Sequence, residues 1–468
     1  MVLLLVLVFL TSPCIITFLP VQAESRTIVV PDDYPTIAAA IGNATDGDIV
    51  FVNTGIYNTL NETLQIDKSI QLIGEDRDTT IIDGNHAGNI IEITADNVEI
   101  SGFTIQNSGS NESMNSLSDT GINVKTSSGS KITNNIIKNN IGGLIIEDCS
   151  NILISENKIQ SNFHTPNIFI SYSSTVTFSK NYVAGNTGET IVIIHCSDSI
   201  VTENQIVTNG FGMTPGPGIA YHGVIISNSQ GITVSLNNIT GNGQGLGLIE
   251  SHGINVFRNN VRNNVVGISL STGTTDNLIY ENNIEANSNG MFLVESERNH
   301  DNRVYHNNFT SNAVQIYFYS SAFSSSPAVN IWDNGTEGNY WSDYAGSDGD
   351  GDGIGDSPYI INANNTDRYP FMAPFNGSIV ISPKLSPSPS PTPTPPPAST
   401  PTTTPTPTPM SSALPSPSSS SSPQEQRSAS KPEQQPETFP TALVAAASGV
   451  SIATVGVGVL AYFRKRER

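Results

Sequence analysis

Ile132-Thr133-Asn134-Asn135-Ile136-Ile137 is followed 22 residues later by Ile154-Ser155-Glu156-Asn157-Lys158-Ile159. In both stretches an Asn stands three residues after one apolar residue and two residues before another. The phrase occurs eight times, with steps of 22, 24, 23, 33, 22, 23 and 25 residues, and the Gly/Pro-rich stretch Gly210–Gly218 accounts for the long step. Self-similarity at this period indicates a solenoid. The Asn residues of the phrase are Asn135, Asn157, Asn181, Asn204, Asn237, Asn259, Asn282 and Asn307.

The spacing around each Asn predicts a bend in the chain. The two apolar positions are five residues apart, so in one straight strand their side chains would face opposite ways. Both reach one core only if the chain bends between them. Asn suits the bend because it tolerates left-handed backbone and bonds nearby peptide groups, and its amide can pair with the Asn of the next coil. We therefore predict an all-β fold, a parallel β-helix solenoid.

The net charge of the chain bears on whether it can bind nucleic acid. The 468 residues carry a formal net charge of −21 with only 20 Lys and Arg, which argues against nucleic-acid binding.

Cys149 and Cys196 each lie eight residues before a phrase Asn, so they share a column two coils apart. Their separation of roughly 10 Å exceeds the ~7 Å limit between the Cα atoms of a disulfide. We predict two free, buried thiols.

Both ends of the chain point to a secreted, anchored protein. The N-terminal apolar run ends in Val21-Gln22-Ala23, which is typical of a signal-peptide cleavage site; it lacks a positive n-region, and an uncleaved anchor is the alternative. Thr441–Phe463 has 23 uncharged residues, enough to span a bilayer as a helix of about 34 Å. The basic tail Arg464–Arg468 then belongs in the cytoplasm and the β-helix outside. We predict a single-pass cell-membrane protein.

The organisation between these ends follows from composition shifts. Pro35–Ile41 is predicted to form a short capping helix, with Gly42 just past its end. Ser108–Ser118 is a polar insertion, and Ala328–Trp332 adds a last strand. The predicted segments are a signal peptide (1–23), an N-terminal cap (24–60), the parallel β-helix (61–332), a C-terminal cap with an acidic loop (333–381), a disordered Pro/Ser/Thr-rich stalk (382–440), a transmembrane helix (441–463) and a cytoplasmic tail (464–468).

Asn-x-Ser/Thr sequons agree with an extracellular location, although the motif is weak in so Asn-rich a chain. Asn238 and Asn308 lie in the repeat phrase, where turn geometry alone can explain them. The glycosylation candidates are Asn43, Asn61, Asn111, Asn238, Asn308, Asn334, Asn364 and Asn376.

The strongest local motif is Asp348-Gly349-Asp350-Gly351-Asp352-Gly353-Ile354-Gly355-Asp356. Alternating carboxylates wrap a hard cation, a Gly permits the sharp turn, and a backbone carbonyl adds a ligand. The motif matches nine positions of an EF-hand loop but has Tyr359 at the twelfth, so Asp343 or Asp367 would complete the shell. A flexible acidic loop is the alternative. We predict a structural calcium site made by Asp348, Asp350, Asp352, Ile354 and Asp356.

A weaker candidate concerns two carboxylates on successive coils. Asp276 and Asp301 each lie six residues before a phrase Asn, so their side chains can lie ~5 Å apart, the separation of a retaining glycosidase pair. His300 adjoins them and His252 lies two coils below. The alternative interpretation is that both Asp residues are turn residues. With sparse Met and no His-x-x-x-His spacing, the local sequence does not support a copper site.

The phrases with Asn-Asn-x-Ile resemble the NosD-type right-handed β-helix, a carbohydrate-binding and sugar-hydrolase repeat domain of the pectin-lyase-like superfamily. Asn339-Tyr340-Trp341-Ser342-Asp343-Tyr344 and Asp367-Arg368-Tyr369-Pro370 resemble the closing segment of archaeal surface members. Thr27–Ile41 resembles the start of pectinesterase-like β-helices. The resemblance implies right-handed coils. The pectinesterase Asp-Phe-x-Phe-Gly, polygalacturonase Gly-His-Gly and epimerase Asp-Pro-His-Asp motifs are absent, so pectin chemistry is not carried over.

Three functions follow from these features. The preferred one is a non-catalytic cell-surface protein that binds extracellular glycans or surface-layer proteins, with Tyr172, Tyr280 and Tyr305 as exposed aromatics on the binding face. The second is a polysaccharide hydrolase, lyase or epimerase that uses the stacked Asp and His residues. The third is a NosD-like copper-delivery accessory protein.

Overall fold

The computed structural model describes residues 25–377, apart from 60–61, 110–118, 164–165, 211–220 and 321–325. The predicted signal peptide, stalk, membrane helix and basic tail lie outside the described residues, as do Asn61, Asn111 and most of the Ser108–Ser118 insertion. Within the described residues, no helix is both long and apolar enough to cross a membrane.

Three parallel sheets wind around one core in about twelve coils, which confirms the predicted all-β solenoid. Sheet 1 contains Thr27–Val30, Ile49–Val52, Gln71–Gly74, Glu99–Ser101, Lys131–Thr133, Leu153–Ser155, Thr177–Ser179, Ile200–Thr202, Thr233–Ser235, Asn255–Phe257, Leu278–Tyr280, His300–Tyr305 and Val329–Ile331. Sheet 2 contains Gly55–Asn58, Thr80–Asp83, Thr104–Gln106, Ile136–Lys138, Lys158–Gln160, Tyr182–Ala184, Gln205–Val207, Asn238–Thr240, Asn260–Arg262, Asn283–Glu285, Asn308–Thr310 and Tyr340–Trp341. Sheet 3 contains Leu64–Ile66, Ile91–Ile93, Thr120–Lys125, Gly142–Glu147, Ile168–Ser171, Ile191–Ile194, His222–Ser227, Gln244–Ile249, Val266–Leu270, Asn289–Val294 and Val314–Tyr319.

Register and burial follow the sequence repeat. Phe178 of sheet 1 pairs with Ile154 on one side and Val201 on the other, and all three side chains are buried. Val183 does the same on sheet 2. The two apolar positions of each phrase therefore face one core across a corner, as the five-residue spacing predicts.

An unbroken Asn ladder runs along the corner between sheets 1 and 2. Asn181 Nδ2 donates to Asn204 Oδ1 on the next coil (3.1 Å) and to the Ile154 carbonyl on the preceding coil (2.9 Å). Its backbone N–H donates to the same Asn204 oxygen (2.9 Å). The pattern extends from Asn135 to Asn339, so a ninth buried Asn continues the eight in the phrase. The predicted pairing along the axis is confirmed.

The left-handed residue at this corner precedes the ladder Asn. Asn134 has φ 55° and Glu156 has φ 60°, whereas the ladder residues Asn135 and Asn157 are absent from the left-handed set. The prediction that the ladder Asn supplies the left-handed bend is therefore wrong. The preceding residue turns the chain, and the Asn side chain bonds the peptides exposed by the turn.

A second Asn ladder, between sheets 2 and 3, was not predicted. Asn186 Nδ2 donates to Asn209 Oδ1 (3.0 Å) and to the Ile159 carbonyl (3.1 Å). Every member lies five residues after a member of the first ladder, so the sequence contains a signal for it. The members are Asn140, Asn162, Asn186, Asn209, Asn242, Asn264, Asn287 and Asn312.

The capping helix spans Ile37–Asn43 and begins two residues later than predicted. Thr36 is its N-cap, because its hydroxyl accepts a hydrogen bond from Ala39 N (3.1 Å). Gly42 lies inside the helix, so the prediction that it follows the helix is wrong. The first strand of sheet 1, Thr27–Val30, precedes the helix, so the coils begin inside the stretch predicted as a cap.

Aromatic rings fill the C-terminal end of the core. Trp341 stacks between Phe309 and Tyr359, with ring centroids 4.3 Å away on both sides. An antiparallel pair, Tyr359–Asn362 and Asn365–Asp367, closes this end.

The outer face of sheet 3 carries an apolar strip. Ile145, Phe169, Val192 and Ile225 are partners in register on four successive coils and point away from the core. They form a buried cluster separate from the main core.

Candidate functional site

The two carboxylates of the weaker candidate occupy turn positions. The register of sheet 1 places Asp276 and Asp301 in one column on successive coils, as predicted. Both have left-handed backbone, with φ 54° and 57°, and both are exposed. Asp301 Oδ2 bonds His300 Nδ1 at 2.8 Å, at the surface. The turn interpretation therefore explains both Asp residues without a catalytic role.

The acidic loop brings three of its predicted ligands together. One oxygen from each of Asp348, Asp350 and Asp352 lies within 4.8 Å of the others. Asp348 accepts from the backbone N–H of Gly351 (2.7 Å) and of Gly353 (2.9 Å). These bonds, that from Gly353 above all, lower the pKa of Asp348. The loop thus gathers ionised oxygen ligands of the kind that calcium takes.

The other predicted ligands stand apart from this group. Asp356 accepts from Gly349 N (2.8 Å) and so closes the loop. Asp343 accepts from the Tyr359 hydroxyl (3.1 Å). Among the described residues, neither Asp343 nor Asp367 joins the three converging carboxylates. The expectation that one of them supplies the missing twelfth ligand gains no support.

Asp367 instead ends the first Asn ladder, a role that the sequence did not reveal. Its Oδ2 accepts from Asn339 N (2.7 Å) and from Trp341 Nε1 (2.8 Å), and its Oδ1 accepts from Tyr369 N (3.1 Å). Burial raises the pKa of Asp367 to about 6, against the hydrogen bonds, which lower it. The carboxylate takes the place of the next ladder amide.

A shallow groove lies at the turn that leads from sheet 3 to sheet 1. The Tyr172 ring stacks on His195 of the next coil, with centroids 4.9 Å apart and 18° between the planes. Tyr172 is 43% exposed. Beside the rings, Ser174, Ser197 and Gln230 are bridged in one column on successive coils. The groove has a volume of about 400 Å³ and is lined by the Tyr172 and His195 rings beside a row of hydroxyl and amide groups.

Cys196 lines the same groove, and Cys149 lies two coils before it in the same column. Both thiols are free and buried, which confirms the prediction from spacing. Burial raises the pKa of Cys196 to about 11. Because the thiolate is the reactive form, neither residue offers a nucleophile at neutral pH.

The two other predicted aromatics form a stack with Phe257 on the outer face of sheet 1. Ring centroids are 5.0 Å apart between Phe257 and Tyr280, and 5.4 Å between Tyr280 and Tyr305. The rings cover one another, and both Tyr side chains are half-buried rather than exposed. This stack therefore presents ring edges, whereas Tyr172 is the exposed aromatic of the three.

The sequons divide by burial. Asn238 is buried, and its Nδ2 donates to Gln205 Oε1 (2.9 Å) on the preceding coil. Asn308 is also buried, and its Oδ1 accepts from Phe375 N (2.7 Å). Packing thus accounts for both of these Asn residues. The exposed candidates are Asn43, Asn334, Asn364 and Asn376.

Histidines do not converge on one another in the described part of the chain. There, the acidic loop holds the only group of three or more His, Cys, Asp or Glu side chains that could share one metal ion. His306 pairs with Glu337 (2.9 Å), and His222 pairs with Glu189 (3.0 Å). A copper site built from several histidines has no geometric support here.

Two family models match adjoining parts of the coils. Residues 79–223 match the family described as a right-handed β-helix region. Residues 219–346 match NosD, described as a periplasmic copper-binding protein. Each of these two matches covers less than half of the chain. No curated protein matches the chain.

Several solved structures are similar to this β-helix. The A-module of mannuronan C-5 epimerase AlgE6 from Azotobacter vinelandii is 14% identical, with 63% of this chain and 92% of that chain covered and a TM-score of 0.43. DFA-IIIase from Arthrobacter chlorophenolicus A6 is 13% identical, with 68% and 93% covered and a TM-score of 0.45. Polygalacturonase from Erwinia carotovora is 14% identical, with 66% and 96% covered and a TM-score of 0.46. At these values the likeness concerns the fold alone.

Proposed function

We propose that this β-helix is a NosD-like cell-surface protein that binds extracellular glycans and does not turn them over. The observation that carries the proposal is the groove along Tyr172, His195 and the column Ser174–Ser197–Gln230. Sugars offer an apolar ring face bordered by hydroxyl groups. An exposed aromatic ring beside a row of hydroxyls and amides matches that pattern.

The spacing of the groove also favours an extended ligand. Successive coils repeat the polar column at about 4.8 Å, which is close to the length of one sugar unit. A glycan lying along the axis would meet equivalent groups at each coil. A surface-layer protein is the other partner class that such a shallow face could accept.

Anchoring to the cell membrane is part of the same proposal. It rests on the composition of Thr441–Phe463 and of the basic residues after it. The Pro/Ser/Thr-rich segment 382–440 would hold the β-helix away from the bilayer. The archaeal cell-surface assignment stays a prediction.

Calcium would serve the C-terminal cap. The acidic loop is tied to the closing segment, because Gly355 N donates to the Pro370 carbonyl (2.8 Å) and Met372 N donates to the Gly353 carbonyl (3.0 Å). A cation held by Asp348, Asp350 and Asp352 would stiffen the loop and the segment bound to it. Its role would be structural, at a distance from the groove.

The test is a glycan array probed with the full-length chain, followed by titration of any bound glycan. We expect Tyr172→Ala to weaken binding at least tenfold and Tyr182→Ala, on sheet 2 of the next coil, to leave it unchanged. Reducing-sugar and unsaturated-product assays on the bound glycan should show no turnover. Turnover that is lost on replacing Asp276 and Asp301 would instead establish the enzyme alternative, and an array without any hit would refute glycan binding.

A further inference from the structure

The outer face of sheet 2 carries a positively charged surface on an otherwise acidic protein. Side chains alternate between the core and the outside along a strand, so each short strand here has two outward positions. Over six successive strands, from Ile136–Lys138 to Asn260–Arg262, these positions hold three cations and no carboxylate. The whole sequence, by contrast, has 41 Asp and Glu against 20 Lys and Arg. We call this surface the cationic strip, and its charged members are Lys138, Lys158 and Arg262.

The three cations have no anionic partner in the protein. The seven salt bridges among the described residues include none of them. Glu285, the register partner of Arg262 on the next coil, instead accepts from Asn283 Nδ2 (3.3 Å). The Arg262 Nε atom is buried, and no described residue accepts a hydrogen bond from it. Burying part of a guanidinium without an anion beside it costs free energy, which an acid group on a ligand would offset.

A row of side-chain amides ends inside the cationic strip. Asn283 Nδ2 donates to Asn260 Oδ1 (3.0 Å), and Asn260 Nδ2 donates to Asn238 Oδ1 (2.9 Å). Asn238 Nδ2 in turn donates to Gln205 Oε1 (2.9 Å). At Gln205 the row stops, because the described part of the chain offers no acceptor for its Nε2. Hydrogen bonds in a chain polarise one another, so the free N–H groups at this end are strengthened as donors.

Gln205 stands in one column with two further hydrogen-bond donors. Lys158, Tyr182 and Gln205 are partners in register on three successive coils, and all three are partly exposed. The column therefore presents an ammonium, a phenol and an amide within two coil steps, or about 10 Å. Ala184 and Val207, the outward residues beside it, reach less far from the sheet than Tyr182 and Gln205. One side of the column is consequently open to a ligand.

Carboxylates border the long sides of the cationic strip on one flank only. Glu156 and Glu203 lie at the corner before sheet 2, with Lys180 between them on the intervening coil. The corner after sheet 2 has no charge at its turn positions on these coils, which are Asn139, Ser161, Gly185 and Thr208. A negatively charged ligand is therefore favoured over the cationic strip and its neutral flank.

We propose that the cationic strip binds an extended acidic glycan, whose acid groups pair with Lys158 and Arg262 and whose hydroxyl groups meet Tyr182 and Gln205. The inference rests on the proposed function only for the ligand being a glycan. Lys158 and Arg262 are four coil steps apart, or about 19 Å, so only a ligand several sugar units long reaches both. Uronate carboxylates and sulfate esters share the chemistry that a guanidinium recognises with two parallel hydrogen bonds.

The density of charge favours a glycan over other polyanions. Three cations over five coil steps give about one per 8 Å, whereas duplex DNA carries one charge per about 1.7 Å. Neutral amide and hydroxyl donors fill the positions between the cations. A chain of sugars with spaced acid groups and many hydroxyls matches this mixture.

The test is calorimetric titration of the full chain with hexagalacturonate, a chondroitin sulfate hexasaccharide, neutral maltohexaose and hexaglutamate. EDTA is present, so that calcium cannot bridge an acidic ligand to the loop 348–356. We expect at least one acidic glycan to bind, with an affinity that falls as the NaCl concentration rises. Lys158→Ala with Arg262→Ala should weaken that binding at least tenfold. Lys131→Ala with Arg303→Ala is the matched control, because it removes the same charge from exposed positions of sheet 1 and should change the affinity less than twofold.

Two tyrosine variants separate the cationic strip from the Tyr172 groove. Tyr172→Ala should leave binding of the acidic glycan unchanged, and Tyr182→Ala should weaken it at least threefold. An acidic glycan whose binding is lost in Tyr172→Ala but kept in the Lys158/Arg262 variant lies in the groove, which overturns the inference and supports the proposed function. If neither acidic glycan binds, the inference fails, while binding of a neutral glycan that depends on Tyr172 leaves the proposed function standing.

The remaining outcomes concern specificity. Equal losses in the Lys158/Arg262 variant and in the sheet 1 control would show a general charge effect and overturn the inference. Tighter binding of hexaglutamate than of both acidic glycans would also overturn it. Should the double variant fail to fold, Lys158→Gln decides alone: a loss of at least threefold supports the inference, and an unchanged affinity refutes it.

Discussion

The corner between sheets 1 and 2 and the outer face of sheet 3 both bury polar groups, with opposite results. At the corner, each Asn from Asn135 to Asn307 donates to the next and accepts from the previous coil, so the amides are paired throughout. On the outer face, Asn123 Oδ1, Ser171 Oγ and His222 Nε2 are buried without a hydrogen-bond partner in the described residues.

This difference separates scaffold from site. Paired buried groups contribute to stability and specify register, whereas an unpaired buried group costs free energy unless a ligand or water satisfies it. Repetition alone therefore marks the ladder as structural, although its residues dominate the sequence. The irregular positions on sheet 3 are where function is expected.

The largest effect should come from breaking the ladder. Asn204→Ala removes the acceptor for Asn181 N and Asn181 Nδ2 and the donor to the Phe178 carbonyl. Leaving these buried groups unpaired should lower the free energy of unfolding by about 4 kcal/mol. Urea denaturation measures it, with the exposed Asn364→Ala as a control that should change by less than about 0.5 kcal/mol. Equal effects of the two substitutions would contradict a structural role for the ladder.

The end of the ladder should be sensitive to pH. Asp367 has a pKa of about 6 in the folded protein and about 3.9 when unfolded. The folded state binds this proton more tightly, so the contribution to stability is complete below pH ~4 and is lost as the pH rises through about 6. The loss should reach about 3 kcal/mol.

The Asp367→Asn variant isolates that effect from other titrating groups. Between pH 4 and 7, wild type should lose about 2.3 kcal/mol of unfolding free energy relative to the variant, which is most of the full effect. Chemical denaturation at several pH values provides the measurement. Parallel curves for the two proteins would show that Asp367 does not titrate in this range.

Calcium should stabilise the cap by a somewhat smaller amount. At calcium concentrations 100 times the Kd, binding to the folded state contributes about 2.7 kcal/mol, seen as a rise of a few degrees in Tm. Asp350→Asn together with Asp352→Asn should abolish the rise, whereas Asp276→Asn should not. Thermal melting with and without calcium gives the answer, and an unchanged Tm in wild type would exclude the site.

The smallest effect is expected at the left-handed turn positions Asp276 and Asp301. Asn accepts left-handed backbone as readily as Asp, so Asp276→Asn with Asp301→Asn should change the unfolding free energy by less than about 0.5 kcal/mol. Glycan binding at the Tyr172 groove should be unaffected. A loss of binding or turnover in this double variant would move the functional site from sheet 3 and its neighbouring turn to sheet 1.

Periodicity explains why the coils could be predicted in such detail. The five-residue spacing from Ile132 to Ile137 determines a corner, and the shared column of Cys149 and Cys196 determines the distance that keeps them apart. Because each coil contacts only its neighbours, the environment of a residue follows from its position in the repeat. That position can be read from the sequence alone. The second ladder, from Asn140 onward, has the same period as the first, so the sequence contains an equal signal for it.

The sites could not be predicted in the same way because they depend on contacts across unlike coils. Glu189 and His222 each lie 15 residues before a phrase Asn, so spacing places them in one column, but spacing does not reveal that both side chains are buried and paired. The role of Asp367 depends on where the closing segment folds back onto Asn339. Asp276 and Asp301 do share a column, but both have left-handed backbone and serve as turn residues. A shared column alone therefore does not indicate a catalytic carboxylate pair.

The first ladder also has a direction. Each Nδ2 points toward the C-terminal coil, so the row begins where Phe103 N meets Asn135 Oδ1 and stops at Asp367, an acceptor with no amide to pass on. The ladder therefore has a defined first contact, a defined last acceptor and equivalent Asn residues between them. Evolution can add or delete whole units of about 4.8 Å without redesigning either end. The number of coils therefore sets the length of the solenoid.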